Sequence, residues 1–493
     1  MTDLAARFIS SSPKGRTDRT KSVLVCRQWV TCPAAALIAG SLGQSGGAVT
    51  LSNRVLIIVQ NLPVPLDRRV WLECQALVGA GYEVRVICPK GPGDPGYELL
   101  DDVHLYKYEP YVATSGVISY MKEFFVCWMR TARLARKVYR ERGFDVIQVC
   151  NPPDTYALLA LLYRRRGVRL VYDQHDLCPE VYKSRFERPS RILLAFLFAL
   201  ERITYGLSHH VISTNNSYRE IAIRRGGRTR QDTTVVRSGP DTDRMRPGAV
   251  HPELREGREF LLCYLGVMGP QDGVDNALRA LDILVHQRGR TDVHLALLGF
   301  GDCYDDLRAL ATELDLDDHV TFTGRADHEM IDKYLSTADL AVGPDPMNPL
   351  NNVSTMNKTM EYMAYGLPVV TFDLVETRVT AADIAEYVEP GDIDGFAAAI
   401  ERLLDDPERR ADLSKRGRQR AVEVLDWSLQ VPGYVDVFDR ITGRERSAGE
   451  RVRPRTVDCA VPAPRRRGQT GSNPPATASG GHHEGDELRS ATG

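Results

Sequence analysis

The sequence has no excess of charge of either sign, no closely spaced cysteines and no long apolar run. Across 493 residues, 63 Lys and Arg are balanced by 65 Asp and Glu, so the formal net charge is -2. A chain this neutral has no overall attraction for nucleic acid, which is not expected as a partner. Its 10 cysteines are scattered without C-x-x-C spacing, which argues against a disulfide framework or zinc site and predicts reduced thiols in the cytoplasm.

The two ends of the chain lack the apolar residues that a folded core needs. Residues 1–51 are rich in Ser, Thr, Gly and Arg, and their one apolar run, "WVTCPAAALIAGSL", is too short to span a bilayer. We expect a disordered leader there; a signal peptide is one alternative, and a natural start at Val49 is another. Residues 444–493, with "APRRRGQTGSNPPATASGG" and few large apolar groups, predict a disordered tail.

Between these ends, short β-branched runs alternate with amphipathic helical segments in two successive series. The predicted strands of the first series are 54–59, 83–89, 144–150, 168–176 and 209–215, and those of the second include 259–269, 293–302 and 319–324. Alternation of this kind indicates parallel sheets with helices on both faces. The predicted fold class is therefore α/β, with two Rossmann-like doubly wound domains facing each other across a cleft.

The length of the chain agrees with two domains, since one core seldom grows past about 250–300 residues. The predicted domains are 52–240 and 241–426, followed by a helix over 427–443 that crosses back to the first domain. Ligands of open α/β sheets bind beyond the carboxyl ends of the strands, so the polar loops there are the candidates for a site.

One polar turn, within "STMNKTMEYMAYGLPVV" at 354–370, contains more polar residues than a packing helix needs. With Ser354 as the N-cap, Asn357, Lys358 and Glu361 fall in the first two turns of a helix. The free N–H groups and Lys358 would suit a diphosphate, and Glu361 could accept hydrogen bonds from vicinal sugar hydroxyls. The alternative is a solvated ion pair of no consequence.

Three glycine-containing loops follow strands of the second series and would converge on the same cleft. They are "LGVMGPQDGVD" with Gly266, Gly269 and Gly273, "LGFGD" with Gly299 and Gly301, and "FTGRADHEM" with Thr323, Gly324 and Arg325. Because turn glycines are common, one G-x-G is weak evidence by itself. Their convergence with the Lys–Glu turn is what favours a nucleotide site.

The first domain offers candidates for the opposite wall of the cleft. Asp67, Arg68 and Arg69 start its first helix, where they could meet an acceptor or a diphosphate, or simply form a charged first turn. His175 and Asp176 follow a strand, and the imidazole could exchange a proton near neutral pH or be satisfied by a neighbouring aspartate. The apolar run at 191–203 favours a core helix, with a membrane-surface patch as the alternative.

The segments "NKTMEYMAYGLPVV", "LLGFGD" and "DRRVWLECQALVGAGYEVRVICP" resemble family 4 glycosyltransferases, which have the GT-B fold, and the resemblance covers roughly 52–443. The nearest likeness is to fucosamine transferases and related enzymes of surface polysaccharide assembly. It implies hexosyl or N-acetylhexosaminyl transfer from a nucleoside-diphosphate sugar to a glycan or lipid-linked acceptor, with retention and without metal or other cofactor. The expected location is the cytoplasm, with peripheral contact at the inner face of the plasma membrane.

The resemblance also implies roles for particular residues. Glu361 would hold the ribose, and Lys358 and Asn357 would face the diphosphate. His175 would either hydrogen-bond the transferred sugar or support the reaction from the acceptor side. Gly299, Gly301 and the loop over 323–325 would border the nucleobase.

The sequence departs from the family pattern in two places. Val267 and Asp272 stand where a basic pair usually follows the first donor-domain strand, and Val353 replaces the first glutamate of Glu-x7-Glu. Lost cations would weaken stabilisation of the departing diphosphate. Two alternatives to a transferase therefore stay open: a non-catalytic nucleotide-sugar-binding protein with a degenerate donor site, and a nucleotide-sugar 2-epimerase. The epimerase would need carboxylates around the sugar, and the sequence shows no such cluster.

Overall fold

The computed structural model describes residues 53–111, 117–186 and 188–445, with the side chains of 117–121 left out. The predicted leader lies outside the described residues, as does the predicted tail from residue 446 onward. Within the described ranges, no helix combines the length and the apolar character that crossing a membrane requires.

The first domain is built on an eight-stranded sheet. Its strands are β1 (Arg54–Ile58), β2 (Glu83–Pro89), β3 (Tyr97–Leu100), β4 (Val103–Tyr108), β5 (Val146–Cys150), β6 (Arg169–Gln174), β7 (His210–Ser213) and β8 (Thr233–Val235). The order across the sheet is β3-β4-β2-β1-β5-β6-β7-β8, and β3 with β4 is its antiparallel pair. Strand β5 is buried along its whole length, as expected for a parallel strand covered on both faces.

Among the described residues, six helices of the first domain connect these strands. They are α1 (Arg68–Gly79), α2 (Val117–Glu141), α3 (Tyr156–Arg164), α4 (Cys178–Arg185), α5 (Arg191–Leu207) and α6 (Asn216–Gly226). Because α1 joins the neighbouring parallel strands β1 and β2, it begins beyond the carboxyl end of β1.

The second domain contains a six-stranded, wholly parallel sheet. Its strands are β9 (Phe260–Leu265), β10 (Val293–Leu298), β11 (Val320–Gly324), β12 (Leu340–Gly343), β13 (Val369–Phe372) and β14 (Ala385–Val388), in the order β11-β10-β9-β12-β13-β14. The remaining helices are α7 (Val274–Asp282), α8 (Tyr304–Glu313), α9 (His328–Thr337), α10 (Asn357–Ala364), α11 (Val375–Ala381), α12 (Ile393–Asp405), α13 (Pro407–Arg420) and α14 (Trp427–Thr442). The two sheets confirm the predicted α/β class.

The last helix, α14, lies against the first domain although it follows the second domain in the chain. The hydroxyl of Tyr82 donates to Oδ1 of Asp439 at 2.6 Å, and the hydroxyl of Tyr434 donates to Oε1 of Gln148 at 2.7 Å. The rings of Tyr82 and Phe438 also meet edge to face. The chain therefore crosses between the two domains twice: it enters the second domain before β9 and returns to the first domain at α14.

Helix α5 contradicts the prediction of a core helix. Its buried residues are Glu201, Thr204 and Tyr205, whereas Ile192 is 85% exposed and Phe196 is 49% exposed. Two of the buried residues have polar partners: the Thr204 hydroxyl donates to a backbone carbonyl at 2.6 Å, and Glu201 pairs with an arginine at 2.6 Å. Tyr205 joins the apolar core, whereas the apolar side chains of the run at 191–203 are half-buried or exposed.

Candidate active site

Helix α10 begins at the carboxyl edge of the second sheet, because it connects the parallel strands β12 and β13. Its N-cap is Met356, whose side chain makes no capping bond, and Asn357 is exposed at its first position. The prediction of Ser354 as the N-cap is wrong. The Ser354 hydroxyl donates instead to the carbonyl of Leu350 at 2.8 Å and lies 2.7 Å from the hydroxyl of Tyr218.

Lys358 already has a partner within the chain. Its Nζ lies 2.6 Å from Oδ1 of Asp345, donates to the hydroxyl of Tyr264 at 3.3 Å, and sits 4.7 Å above the centre of that ring. The two charged side chains are 10% and 4% exposed. Burial alone would lower the pKa of Lys358, but the carboxylates of Asp345 and Asp272 raise it on balance. The ammonium therefore stays charged, with much of its charge offset by Asp345.

Asp272 brings a carboxyl group to the place where the family pattern has a cation. Its Oδ2 accepts a hydrogen bond from the backbone N–H of Gly269 at 3.0 Å. Burial raises the pKa of Asp272 to about 6, against the opposing effect of Lys358. At neutral pH this loop therefore adds negative charge beside Lys358 and no positive charge.

Glu361 stands one turn after Lys358 and pairs with an arginine of the first domain. Its Oε1 lies 2.7 Å from Nη1 of Arg68, with the two side chains 16% and 30% exposed. The same Nη1 lies 3.3 Å from the sulfur of Met245. The carboxylate predicted to hold a ribose is thus bridged across the cleft to the start of α1.

The three glycine loops do converge, and they hydrogen-bond to one another through their backbones. The N–H of Met268 donates to the carbonyl of Phe300 at 3.0 Å, and the N–H of Gly299 donates to that of Gly324 at 2.9 Å. A Cβ at Gly299 would lie 1.8 Å from the carbonyl oxygen of Gly266, and one at Gly301 would lie 2.5 Å from that of Met268. Packing between the loops therefore requires glycine at 299 and 301, whether or not a ligand binds there.

The remaining predicted donor residues lie around these loops. Gly273 has a φ of +62° and directly precedes α7, a left-handed conformation that favours glycine. The Thr323 hydroxyl donates to the carbonyl of Gly324 at 3.0 Å, and the guanidinium of Arg325 lies 5.9 Å from the centre of the Phe300 ring.

On the first domain, the three charged residues at the start of α1 do three different things. Asp67 caps the helix, because its carboxylate accepts from the N–H of Val70 at 3.1 Å. Arg68 faces the second domain. Arg69 is buried, with Nη2 2.7 Å from Oδ1 of Asp173 and Nε 3.0 Å from Oε1 of Glu73. The position of Asp67 fits the alternative prediction, in which it is simply part of a charged first turn of the helix.

His175 is tied to the same buried group. Its Nε2 lies 2.5 Å from Oδ2 of Asp173 and 3.2 Å from Nε of Arg69. Although burial would raise the pKa of Asp173, Arg69 and His175 lower it, so this carboxylate is ionised. Burial and the charge of Asp173 raise the pKa of Glu73 well above its usual value. Because Nε2 of His175 is engaged, a hydrogen bond from this ring to a substrate would have to use Nδ1.

The side chain of Asn151 holds the backbone of Asp176 in place. Asn151 donates from Nδ2 to the carbonyl of Asp176 at 2.7 Å, and its Oδ1 accepts from the N–H groups of His175 and Asp176 at 2.7 and 3.2 Å. Burial raises the pKa of the Asp176 carboxyl group. One amide side chain therefore fixes the course of the loop that carries His175.

The buried group also has the composition of a metal site. Single ligand atoms of Glu73, Cys150, Asp173 and His175 lie within 4.8 Å of one another. The guanidinium of Arg69 contacts three of these four residues and supplies the positive charge that the Asp173 carboxylate needs. A divalent cation would have to displace that guanidinium, so these residues fit an arginine better than a metal ion.

Several of these partners were missed in the sequence, although a signal for some of them was there. Asp173 was not missed, because its contact with His175 fits the alternative of a histidine satisfied by a neighbouring aspartate. Asp345 was missed although it follows the parallel strand β12, the position where α/β sheets present functional side chains. Glu73 stands four residues after Arg69 on one helix, which is the spacing of a helical ion pair.

Two family models match the chain on either side of its midpoint. The model described as "Glycosyltransferase Family 4" matches residues 66–244, and the model described as "Glycosyl transferases group 1" matches residues 250–420. Together the two matches cover both sheets except β1 and include every predicted site residue.

Known proteins give a consistent picture. Glycogen synthase of Mycobacterium tuberculosis is 29% identical over 223 residues, which are 45% of this chain and 51% of that protein. The chain spans about half the length of the first curated relatives it matches. Sucrose-phosphate synthase from Thermosynechococcus elongatus has a similar fold, with a TM-score of 0.65, 19% identity, and coverage of 80% of this chain and all of that one. HepE of Anabaena in complex with UDP-glucose has a TM-score of 0.59 at 16% identity, covering 78% of this chain and 99% of that one.

The structural neighbours establish the fold, and the two family models establish the family. The chain belongs to the family 4 glycosyltransferases and has their GT-B fold.

Proposed function

We propose that this protein transfers a hexosyl or N-acetylhexosaminyl group from a nucleoside-diphosphate sugar to a glycan or lipid-linked acceptor in cell-surface polysaccharide or glycolipid synthesis. The observation that carries the proposal is the turn at the start of α10. There a buried ammonium and a partly buried carboxylate lie one helical turn apart, at the carboxyl edge of a parallel sheet. An ammonium near a helix start suits a diphosphate, and a carboxylate suits the two hydroxyls of a ribose.

The chemistry we propose depends on exchange of ion pairs. The incoming diphosphate would compete with Asp345 for Lys358, and the ribose hydroxyls would compete with Arg68 for Glu361. Catalysis would then rest on positioning the donor and stabilising the leaving diphosphate, with no nucleophilic side chain and no metal. His175, held on its Nε2 side by Asp173, would present Nδ1 to the transferred sugar. Retention of configuration and the fucosamine-transferase-like subgroup are part of the proposal.

A donor screen tests this function. We expect one of UDP-, GDP-, ADP- or dTDP-sugars to raise the melting temperature of the purified chain, because a ligand of the folded state stabilises it. Slow release of the nucleoside diphosphate without acceptor would then separate an enzyme from a protein that merely binds nucleotide sugars. Failure of all four donor classes to bind would contradict the proposal.

A peripheral contact with the inner face of the plasma membrane is part of the proposal, and α5 supports it. Helix α3 packs beside α5, and Leu162 of α3 is 61% exposed, so apolar side chains of both helices face solvent. Exposed arginines flank them at 164–166, 191 and 202. Apolar groups bordered by basic ones suit the interface of an anionic bilayer, where a lipid-linked acceptor would be found.

Vesicle binding checks this surface. We expect the protein to sediment with vesicles of phosphatidylglycerol and phosphatidylcholine, and the double variant Ile192→Ser/Phe196→Ser to bind at least tenfold more weakly, since it loses two exposed apolar side chains. Val375→Ser, at a residue 52% exposed on α11, is the matched control and should bind like the wild type. Equal binding of the double variant and wild type would exclude this face.

A further inference from the structure

One arginine of the first domain points at the glycine loops of the second. Arg185 is the last residue of α4, the helix that starts three residues after His175. Its Nη1 lies 3.8 Å from Oδ2 of Asp302, which closes the loop containing Gly299 and Gly301. The contact therefore crosses the cleft on the side where the donor diphosphate is expected.

The bonding of Arg185 is incomplete. The side chain is 17% exposed, and its buried Nε has no hydrogen-bond partner among the described residues. Arg225 and Arg228 also have a buried, unbonded Nε, but each is anchored by carboxylates at 2.6 to 2.8 Å. Arg185 has instead one long ion pair, so its guanidinium retains donors for a ligand. A buried unsatisfied donor of this kind calls for an explanation.

The positive charge of Arg185 reaches both walls of the cleft. It lowers the pKa of Asp272 on the second domain and of Asp176 on the first, in each case against the larger effect of burial. Asp272 occupies a position where the family pattern has a basic residue. The guanidinium thus acts on Asp272 with a charge of the sign that is missing there, although its effect is smaller than that of Lys358.

We propose that Arg185 binds the diphosphate of the donor and replaces, from the first domain, the cations that the second domain lacks at Val267 and Asp272. This rests on the proposed function. Lys358 by itself is largely offset by Asp345, so a diphosphate needs a second positive group. A guanidinium can give two parallel hydrogen bonds to phosphate oxygens, and the long contact with Asp302 can be exchanged for them. The donor would then be held by both domains at once.

The test compares nucleoside diphosphates with nucleosides. We expect Arg185→Gln to weaken binding of the nucleoside diphosphate that the wild-type chain binds, among UDP, GDP, ADP and dTDP, by at least tenfold in calorimetric titration. Affinity for the corresponding nucleoside, followed by ligand-observed NMR, should not change, because a nucleoside has no phosphate. Arg185→Lys keeps the charge and should lose less, and Arg224→Gln, at an exposed arginine of α6, is the matched control.

The outcomes separate the two proposals. Unchanged diphosphate affinity in Arg185→Gln, or an equal loss for nucleoside and diphosphate, would overturn the role of Arg185 and leave the proposed function standing. A wild-type chain that binds neither UDP nor GDP, and neither ADP nor dTDP, would overturn both. A melting temperature within about 2 °C of wild type confirms that each variant is folded.

Discussion

Replacing Glu361 by alanine is expected to lower donor turnover by at least a hundredfold. The variant loses a charged acceptor for two ribose hydroxyls, and a hydrogen bond to a charged group contributes about 1.5–3 kcal/mol. Two such bonds amount to a factor of roughly 10² to 10⁴ in affinity or rate. The measurement is release of nucleoside diphosphate from the donor selected by the screen, with and without acceptor.

The fold of the Glu361→Ala variant should be intact. The ion pair with Arg68 is partly exposed, so its loss costs at most about 1 kcal/mol. Glu401→Ala is the matched control, because Glu401 is also partly exposed and pairs with Arg288 at 2.7 Å, on α12. It should leave turnover unchanged. Near-normal turnover in Glu361→Ala would contradict the role of Glu361 in holding the ribose. The turnover of Glu361→Gln should fall between those of Glu361→Ala and the wild type, because glutamine keeps a hydrogen-bond acceptor but not the charge.

The fold could be predicted from the sequence because its signals are local. Runs such as "RVLII" and "VHLALL" are apolar and short enough to be buried parallel strands, and the structure has them as β1 and β10. The strand order depends on long-range pairing, which periodicity does not encode. The antiparallel strand β3 pairs locally with β4 across the turn at Asp101 and Asp102, but it is absent from the predicted strands. The prediction of a core helix for α5 is wrong for a related reason. Its apolar content is visible in the sequence, but which of its faces is buried depends on residues that are distant in the chain.

The positions of the candidate residues in the fold could be predicted from the sequence, but the side chains with which they pair could not. The position of Lys358 and Glu361 on one helical face follows from their spacing, and the structure has them on α10. That Asp345 pairs with Lys358 and Arg68 with Glu361 depends on which loops the fold brings together. The same holds for Arg69, which was considered for the acceptor side and lies in a buried group with Asp173.

Other contacts connect the first domain to the segment that precedes α10. Asn215 at the start of α6 donates from Nδ2 to the carbonyl of Val353 at 2.9 Å, and Tyr218 meets Ser354 at 2.7 Å. Both contacts hold the segment that leads into α10. Movement of the first domain would therefore change the position of the helix that carries Lys358, which is how domain closure could be coupled to donor binding.

Replacing Arg69 by methionine is expected to lower the free energy of unfolding by about 3–5 kcal/mol, since removal of one partner leaves a buried charge uncompensated. Asp173 is fully buried and would lose its 2.7 Å ion pair. For a domain of this size the melting temperature should fall by roughly 10 °C. Arg54→Met is the matched control, because Arg54 is partly exposed in its 2.7 Å pair with Asp145, and should cost about 1 kcal/mol or less.

The pH dependence of this loss identifies its cause. In the wild type the pKa of Asp173 is lowered, so its contribution to stability is present above the unfolded pKa of 3.8 and is lost only as the pH falls below it. Without Arg69, burial raises that pKa, and a raised carboxyl pKa makes the folded state less stable as the pH rises. The difference between Arg69→Met and wild type should therefore be largest at neutral pH and smaller near pH 4, where the buried carboxyl group of the variant is protonated, and it should disappear only below pH 3.8, where the wild type also loses its contribution. Adding Asp173→Asn should recover part of the loss at pH 7. A deficit that is independent of pH, or that Asp173→Asn does not reduce, would show that Arg69 stabilises the domain by packing and not by neutralising Asp173.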